Sequence, residues 1–275
     1  MGINTNPQET RSQSHSEEDC RMLEWLSDYD YSSQHNDYLR RRQNGTGQWF
    51  LDSEAYQNWV SRSNTRLFCP GIPGAGKTIL TATVIEDLHT RFLNDPDASS
   101  IGIAYYYLNF KRQSEQTADK VISSLLKQLC ACQSSLPEVL ESLYNKHQSN
   151  NTRPSLRELL TALRSVVNSY SKVFFIVDAL DEWRPKERTL FVSWILYLQT
   201  RAEVSIFATS RPLLEIEELF NGCSSIEIVA NQEDVYKYID GHMSQLPGFV
   251  QNDANLRDNL REQIKLDISA NVQGM

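Results

Sequence analysis

Residues 71–78 read GIPGAGKT, a glycine-rich octapeptide closing on Lys-Thr, and these residue types at this spacing suit the capture of phosphate. Gly71, Gly74 and Gly76 let the backbone fold back without Cβ clashes, so successive N–H groups can point at one anion. Lys77 brings a point charge for the β- and γ-phosphates, and Thr78 a hydroxyl for Mg2+. A helix starting near Gly76 would turn the positive end of its dipole to the same spot. Pro73, Ala75 and Ile79 complete the stretch expected to touch a nucleotide.

A second constellation lies downstream. Phe174-Phe175-Ile176-Val177-Asp178 is an apolar run ending in a carboxylate, the form of a Walker B strand. Such a run brings Asp178 to the carboxyl edge of a sheet, where open α/β sheets bind ligands, and there it can hold Mg2+ directly or through a water. Asp181 and Glu182 follow at once, and carboxylates this crowded are costly unless a cation or a water network uses them. Glu182 is the choice for polarising an attacking water, with Asp181 as the alternative. The run FATSRP at 207–212 ends another strand and brings Arg211 to the same edge, where a guanidinium can sense a γ-phosphate and stabilise transition-state charge.

These side chains need a sheet to converge on. Arg66 to Cys69 is a short apolar run that reads as the strand feeding the glycine loop, and Leu80, Val84 and Leu88 recur at helical spacing after it. Further strands are expected at 101–110, 172–180, 204–208 and 226–229, with helices at about 117–131, 136–147 and 155–169 between them. Upstream, Ser16-x-x-Asp19 can open a helix, a second ends near Asn44-Gly45, and Asp52 or Ser53 caps a third carrying Tyr56, Trp59 and Val60. The expected fold is α/β, a three-layer P-loop NTPase whose mostly parallel sheet has a strand inserted between the glycine-loop strand and the acidic strand. The expected division is a disordered tail over 1–15, a helical lead-in over 16–64, the NTPase core over 65–230 and a partial helical subdomain over 231–275.

Composition narrows the function classes. The 275 residues carry a net charge of −8 and 40% hydrophobic residues, which argues for a globular chain and against a general nucleic-acid binder. Arg40-Arg41-Arg42 is the one tight basic cluster and reads as a solvated helix C-terminus. Five cysteines without paired spacing suggest reduced thiols in the cytoplasm, and the scattered histidines argue against zinc. No apolar run reaches the roughly 18 residues of a membrane span. No N-K-x-D guanine motif appears, which favours adenine.

GIPGAGKT, FFIVDALDE and FATSRP, in this order and spacing, resemble the NACHT class of STAND signalling ATPases. The match looks closest to the nephrocystin-like N-terminal NTPase module of fungal ankyrin-repeat, NOD-like proteins. RRRQNGTGQWFLDSEAYQNW resembles that family's lead-in, and EDVYKYIDGHM with IKLDISANVQGM its helical subdomain, so the likeness runs from about Leu23 to the end. The resemblance implies that Gly74, Gly76, Lys77 and Thr78 hold ATP or ADP, that Asp178, Asp181 and Glu182 handle Mg2+ and water, and that Arg211 is the sensor. It also implies that Gly45, Thr46 and Gly47 lie against the adenine. The chain stops at Met275, after the start of the helical subdomain, without the winged helix and repeats of the resembled family.

The expected function is therefore an ATP/ADP-binding module that hydrolyses ATP weakly with Mg2+ and serves as a signalling switch in innate-type recognition. A nucleotide-dependent scaffold without turnover is the alternative, and a P-loop kinase the second. Leu256, Leu260, Ile264 and Ile268 form an apolar stripe that the resembled family covers, so self-association or another protein partner through the C-terminal helices is expected, with no nucleic-acid or membrane partner.

Overall fold

The computed structural model describes residues 15–93, 100–243 and 254–272; the tail expected at 1–15 lies, but for His15, outside them. Before the sheet, the described residues form four helices, α1 (Glu17–Leu26), α2 (Tyr31–Arg41), α3 (Gln48–Leu51) and α4 (Glu54–Ser61). The first opens on the expected capping box, with Ser16 and Asp19 each accepting the other's backbone N–H, and buries Met22, Leu23 and Leu26. Ser53, not Asp52, caps α4 by accepting from the Tyr56 amide. The indole of Trp59, buried beneath that helix, donates to the Ile206 carbonyl at 2.9 Å and so pins the lead-in to the sheet.

The chain then alternates: β1 (Arg66–Pro70), α5 (Lys77–Leu93), β2 (Ile101–Tyr107), α6 (Ala118–Ala131), α7 (Glu138–Gln148), α8 (Leu156–Val167), β3 (Lys172–Asp178), α9 (Pro185–Gln199), β4 (Val204–Ser210), α10 (Leu214–Leu219) and β5 (Ser224–Ser225). The five strands lie in the order β2-β3-β4-β1-β5, all parallel. Strand β4 thus stands between the glycine-loop strand and the acidic strand, as the sequence predicts. Alternate residues feed two cores, because side chains on a strand point to opposite faces. Phe68, Tyr106, Phe175 and Ile206 meet α6, α8 and α9 on one face. Leu67, Tyr105, Phe174 and Phe207 meet α5 and the lead-in aromatics on the other. Among the described residues α11 (Gln232–His242) and α12 (Ala254–Val272) follow.

Four expectations are corrected. Strand β2 ends at Tyr107, not at 110, because the Asn109 carboxamide accepts the Lys111 amide and starts a 3-10 turn that leaves Phe110 65% exposed. Strand β3 ends at Asp178, since Ala179 adopts a left-handed φ of 59° and turns the chain. The edge strand is Ser224–Ser225 rather than 226–229, although the amides of Ile226 and Ile228 still donate to the carbonyls of Phe68 and Pro70 at 3.1 and 2.7 Å. In the basic cluster Arg40 and Arg41 are exposed, but the Arg42 guanidinium turns inward and holds the Thr46 carbonyl through Nη2 at 2.6 Å. Of the C-terminal stripe, Leu260 and Ile264 are half-buried; the side chains of Leu256 and Ile268 lie outside those described. Among the described residues no helix is long and apolar enough to cross a membrane.

Candidate functional site

Every strand of the parallel sheet delivers its carboxyl end to one edge, and the glycine loop, the acid turn and Arg211 meet there. The loop leaves β1 with the Gly71 amide donating to the Ser210 carbonyl at 3.0 Å, which locks it to the end of β4. Gly74 and Gly76 take φ of 82° and 89°, a left-handed backbone that side-chain-bearing residues avoid, and nothing stands within 4 Å of where their Cβ atoms would be. The loop is therefore an open cradle of backbone held by conformation rather than by packing. Lys77 starts α5 and sends its ammonium back across the loop, donating to the carbonyls of Gly71 at 2.7 Å and Ile72 at 2.9 Å. Burial draws its pKa below the ordinary lysine value, against the pull of Asp181 and Asp178.

Asp178 is 2% exposed. Three hydroxyls hold its carboxylate: Thr78 donates to Oδ2 at 2.7 Å, and Thr81 and Thr209 to Oδ1 at 3.0 and 2.6 Å. Burial raises its pKa, while the bonds from Thr209, Thr78 and Thr81 hold it down. Thr81 lies on α5 one turn after Lys77, and Thr209 on β4 also accepts the Ala179 amide at 2.9 Å. Of the two threonines beyond the loop motif, Thr209 is expected at this edge, because it ends the FATSRP strand together with Arg211; Thr81 is missed in the sequence, where it reads as one more helical residue.

After Ala179 the turn Leu180–Glu182 separates the two remaining acids. Asp181 is held by Arg211 twice, from the backbone amide at 2.8 Å and from Nε at 2.6 Å. Its side chain is 3% exposed while the guanidinium remains 52% exposed. Glu182 points elsewhere, its Oε2 accepting the Phe110 amide at 2.9 Å. Burial raises its pKa, opposed by that amide and reinforced by Asp181 and Asp178. Pro73, Gly74, Gly76, Lys77, Thr78, Ile79, Asp181, Glu182 and Arg211 share one cleft of about 640 Å³. The buried Asp178 does not line the cleft and is joined to it through the Thr78 hydroxyl.

Over the other flank of the loop lies a second, more apolar cleft of about 420 Å³, and Gly74, Gly76 and Ile79 line both. Its walls are Thr46, Gly47 and Trp49 from the lead-in, Ala75 and Leu80 from the loop and α5, and Val229, Val235 and Tyr238 near α11. The structure thus brings Thr46 and Gly47 to the loop. Gly45 and Gly71 line neither cleft. Asp234, missed in the sequence, joins the two walls: its Oδ2 accepts the Gly47 amide at 2.8 Å and the Trp49 indole at 3.1 Å. Nothing in the sequence signals a pairing across that many residues.

Hard oxygen donors from Thr78 and Asp178 beside the open glycine-loop backbone fit a magnesium–phosphate group. Among the described residues no cluster of three or more His, Cys, Asp or Glu could hold a metal by protein ligands alone.

The model of the family described as nephrocystin 3, N-terminal, matches residues 45–211, from the lead-in glycines to Arg211. No curated protein matches the chain. Among solved structures it is similar to the ORC1 protein of Aeropyrum pernix in complex with DNA, at 14% identity over 82% of this chain and 54% of that one, with a TM-score of 0.49. It is similar also to Cdc6p of Pyrobaculum aerophilum, at 14% identity over 76% and 52% of the two chains and a TM-score of 0.44. PCH-2 of C. elegans gives 15% identity over 84% and 51%, with a TM-score of 0.38. The chain spans about half the length of these structures.

Proposed function

Because this chain belongs to the nephrocystin 3 N-terminal family, we propose that it binds ATP or ADP with Mg2+ and hydrolyses ATP slowly as a conformational switch. The observation that carries the reading is the buried Asp178 carboxylate hydrogen-bonded to Thr78 of the glycine loop, with the Lys77 ammonium beside it. A solvent-hidden acid wired to the loop hydroxyl has no use in a simple turn. In this reading the phosphates lie in the larger cleft and the base in the apolar one, between Trp49 and Tyr238.

Each residue then has a task. The loop amides and Lys77 bind the β- and γ-phosphates, with Ile79 and Ala75 beneath the sugar side. Thr78 and Asp178 would hold Mg2+, which when bound neutralises phosphate charge. Both Asp181 oxygens are engaged by Arg211, so Glu182, with a raised pKa, is the group left to orient and deprotonate water. Arg211 spends Nε on Asp181, which leaves its terminal nitrogens for the γ-phosphate. We assign the lead-in to 16–64, the core to 65–230 and a helical subdomain to 231–275, and the biological role to NACHT/STAND-type signalling in the cytoplasm of fungi.

One observation favours a second reading, a binding module without turnover: one Glu182 oxygen, Oε2, is tied to the Phe110 amide, which holds the carboxylate in place and leaves only the other oxygen for water. Thermal-shift titration with ATP·Mg2+ tests the shared claim. Lys77→Ala should lose the stabilisation seen in the wild type, since each charged hydrogen bond counts for about 1.5–3 kcal/mol. Equal stabilisation of both proteins would remove the loop from phosphate binding, and turnover by the wild type would decide between the two readings.

A further inference from the structure

The apolar cleft has two walls that come from opposite ends of the chain, and a single carboxylate fastens them. Helix α11 begins at Asn231, whose side-chain oxygen accepts the amides of Glu233 and Asp234 at 2.9 and 3.3 Å. With the helix N-terminus satisfied by Asn231, the Asp234 carboxylate is free to reach out of its own helix. It takes the Gly47 amide and the Trp49 indole on one oxygen. One turn later the Lys237 ammonium donates to the Gly45 carbonyl at 2.9 Å. Gly47 needs this bond in particular. It is buried with φ of 80°, just ahead of α3, and its amide has no partner within that short helix. Both residues make charge-assisted bonds, but Asp234 makes two in a part-buried setting and Lys237 one in an exposed setting, so Asp234 dominates the fastening and Lys237 adds to it.

We propose that Asp234 is the latch of the nucleotide site: a positioning residue that clamps α11 onto the 45–49 segment and thereby sets the rate at which the nucleotide leaves. The proposal rests on the reading that the apolar cleft takes the base. A nucleotide seated between Trp49 and Tyr238 cannot depart sideways while the Gly47 and Trp49 bonds hold. Phosphate capture by the loop does not involve the latch. Opening it therefore accelerates release while entry, which the exposed phosphate cleft steers, changes little.

The test is stopped-flow release and association of a fluorescent N-methylanthraniloyl-ADP with wild type, Asp234→Ala, Asp234→Asn and Lys237→Met. Asp234→Ala should release the probe about tenfold faster with an association rate within about twofold, and Lys237→Met about threefold faster. Hydrogen exchange supplies a readout independent of the probe. In Asp234→Ala, amides at 45–49 should exchange faster while those of β3 remain as in the wild type. Faster exchange spread over the whole chain would show a general loss of fold in that variant and overturn the latch, unless Asp234→Asn, which keeps the size, still showed local loosening and fast release. Probe binding by the wild type with unchanged release from all three variants overturns the latch alone. No probe binding by the wild type overturns the nucleotide reading and the latch with it.

Discussion

The two flanks of the glycine loop are built by different rules. On the phosphate side, charge is concentrated and buried: Asp178 under three hydroxyls, Asp181 clasped by Arg211, Lys77 against the loop carbonyls. All of it hangs on strand ends or on the helix that follows, so sheet geometry alone brings it together. On the base side the wall is apolar, and its parts come from the lead-in and from α11, joined by Asp234 and Lys237. The first flank owes its position to the core and the second to a few bonds between surface elements. Under the proposed function, chemistry is thus anchored to the sheet, and retention of the ligand to contacts between surface elements.

That contrast is broken or sharpened by substitution on each flank. The largest effect belongs to Glu182→Gln, which keeps the shape and the Phe110 contact but removes the base. Single-turnover hydrolysis should fall by about 10²–10⁴-fold while ATP affinity stays within a few fold. If Asp181→Asn produced that loss instead, the water-activating role would move to the acid that Arg211 holds. Next comes Gly47→Ala on the base flank. The residue adopts φ of 80°, and an added Cβ would stand 3.2 Å from a methyl of Leu80. Unfolding stability should drop by roughly 1–2 kcal/mol, with phosphate binding by the loop preserved in a pyrophosphate titration. Loss of both together would mean that the flanks are one unit.

The smallest effect per step is a pH response of opposite sign at two buried groups. His35, in the lead-in, is buried against the Tyr107 hydroxyl at 2.9 Å, and burial pushes its pKa down to about 3. The unfolded chain therefore binds a proton that the folded one refuses. Stability is full above the ordinary histidine value of about 6.5 and is lost as pH falls below it, by at most about 1.4 kcal/mol per pH unit. His35→Gln should flatten that slope in urea titrations. Asp178 behaves inversely, because its raised pKa makes the folded state the better proton binder, so acid relieves its cost. Asp178→Asn should steepen the acid loss, and an unaltered slope would remove the burial argument.

How much could be read in advance follows the same division. The strands, the helix after the loop and the convergence of Lys77, Thr78, Asp178 and Arg211 were legible, since each rests on a contiguous pattern and on the rule that parallel strands share a carboxyl edge. Element ends were less so. Phe110 looked like strand because it continues an aromatic run, yet the Asn109 side chain redirects the backbone. Ile226 and Ile228 looked like a strand and do bond to β1, but Pro70 has no N–H with which β1 could return a bond to the Ile226 carbonyl. The Asp234 contacts and the inward turn of Arg42 had no sequence signature at all, because an acid in the first turn of a helix and a basic residue at the end of another are both ordinary surface features.

The central claim, one nucleotide lying across both flanks, is tested most directly by hydrogen exchange with and without ATP·Mg2+, and with adenosine alone. ATP·Mg2+ should protect amides of both 74–79 and 45–49, and adenosine those of 45–49 only. Protection by ATP·Mg2+ confined to 74–79, or adenosine protecting neither segment, would contradict the account and leave the apolar cleft without its occupant.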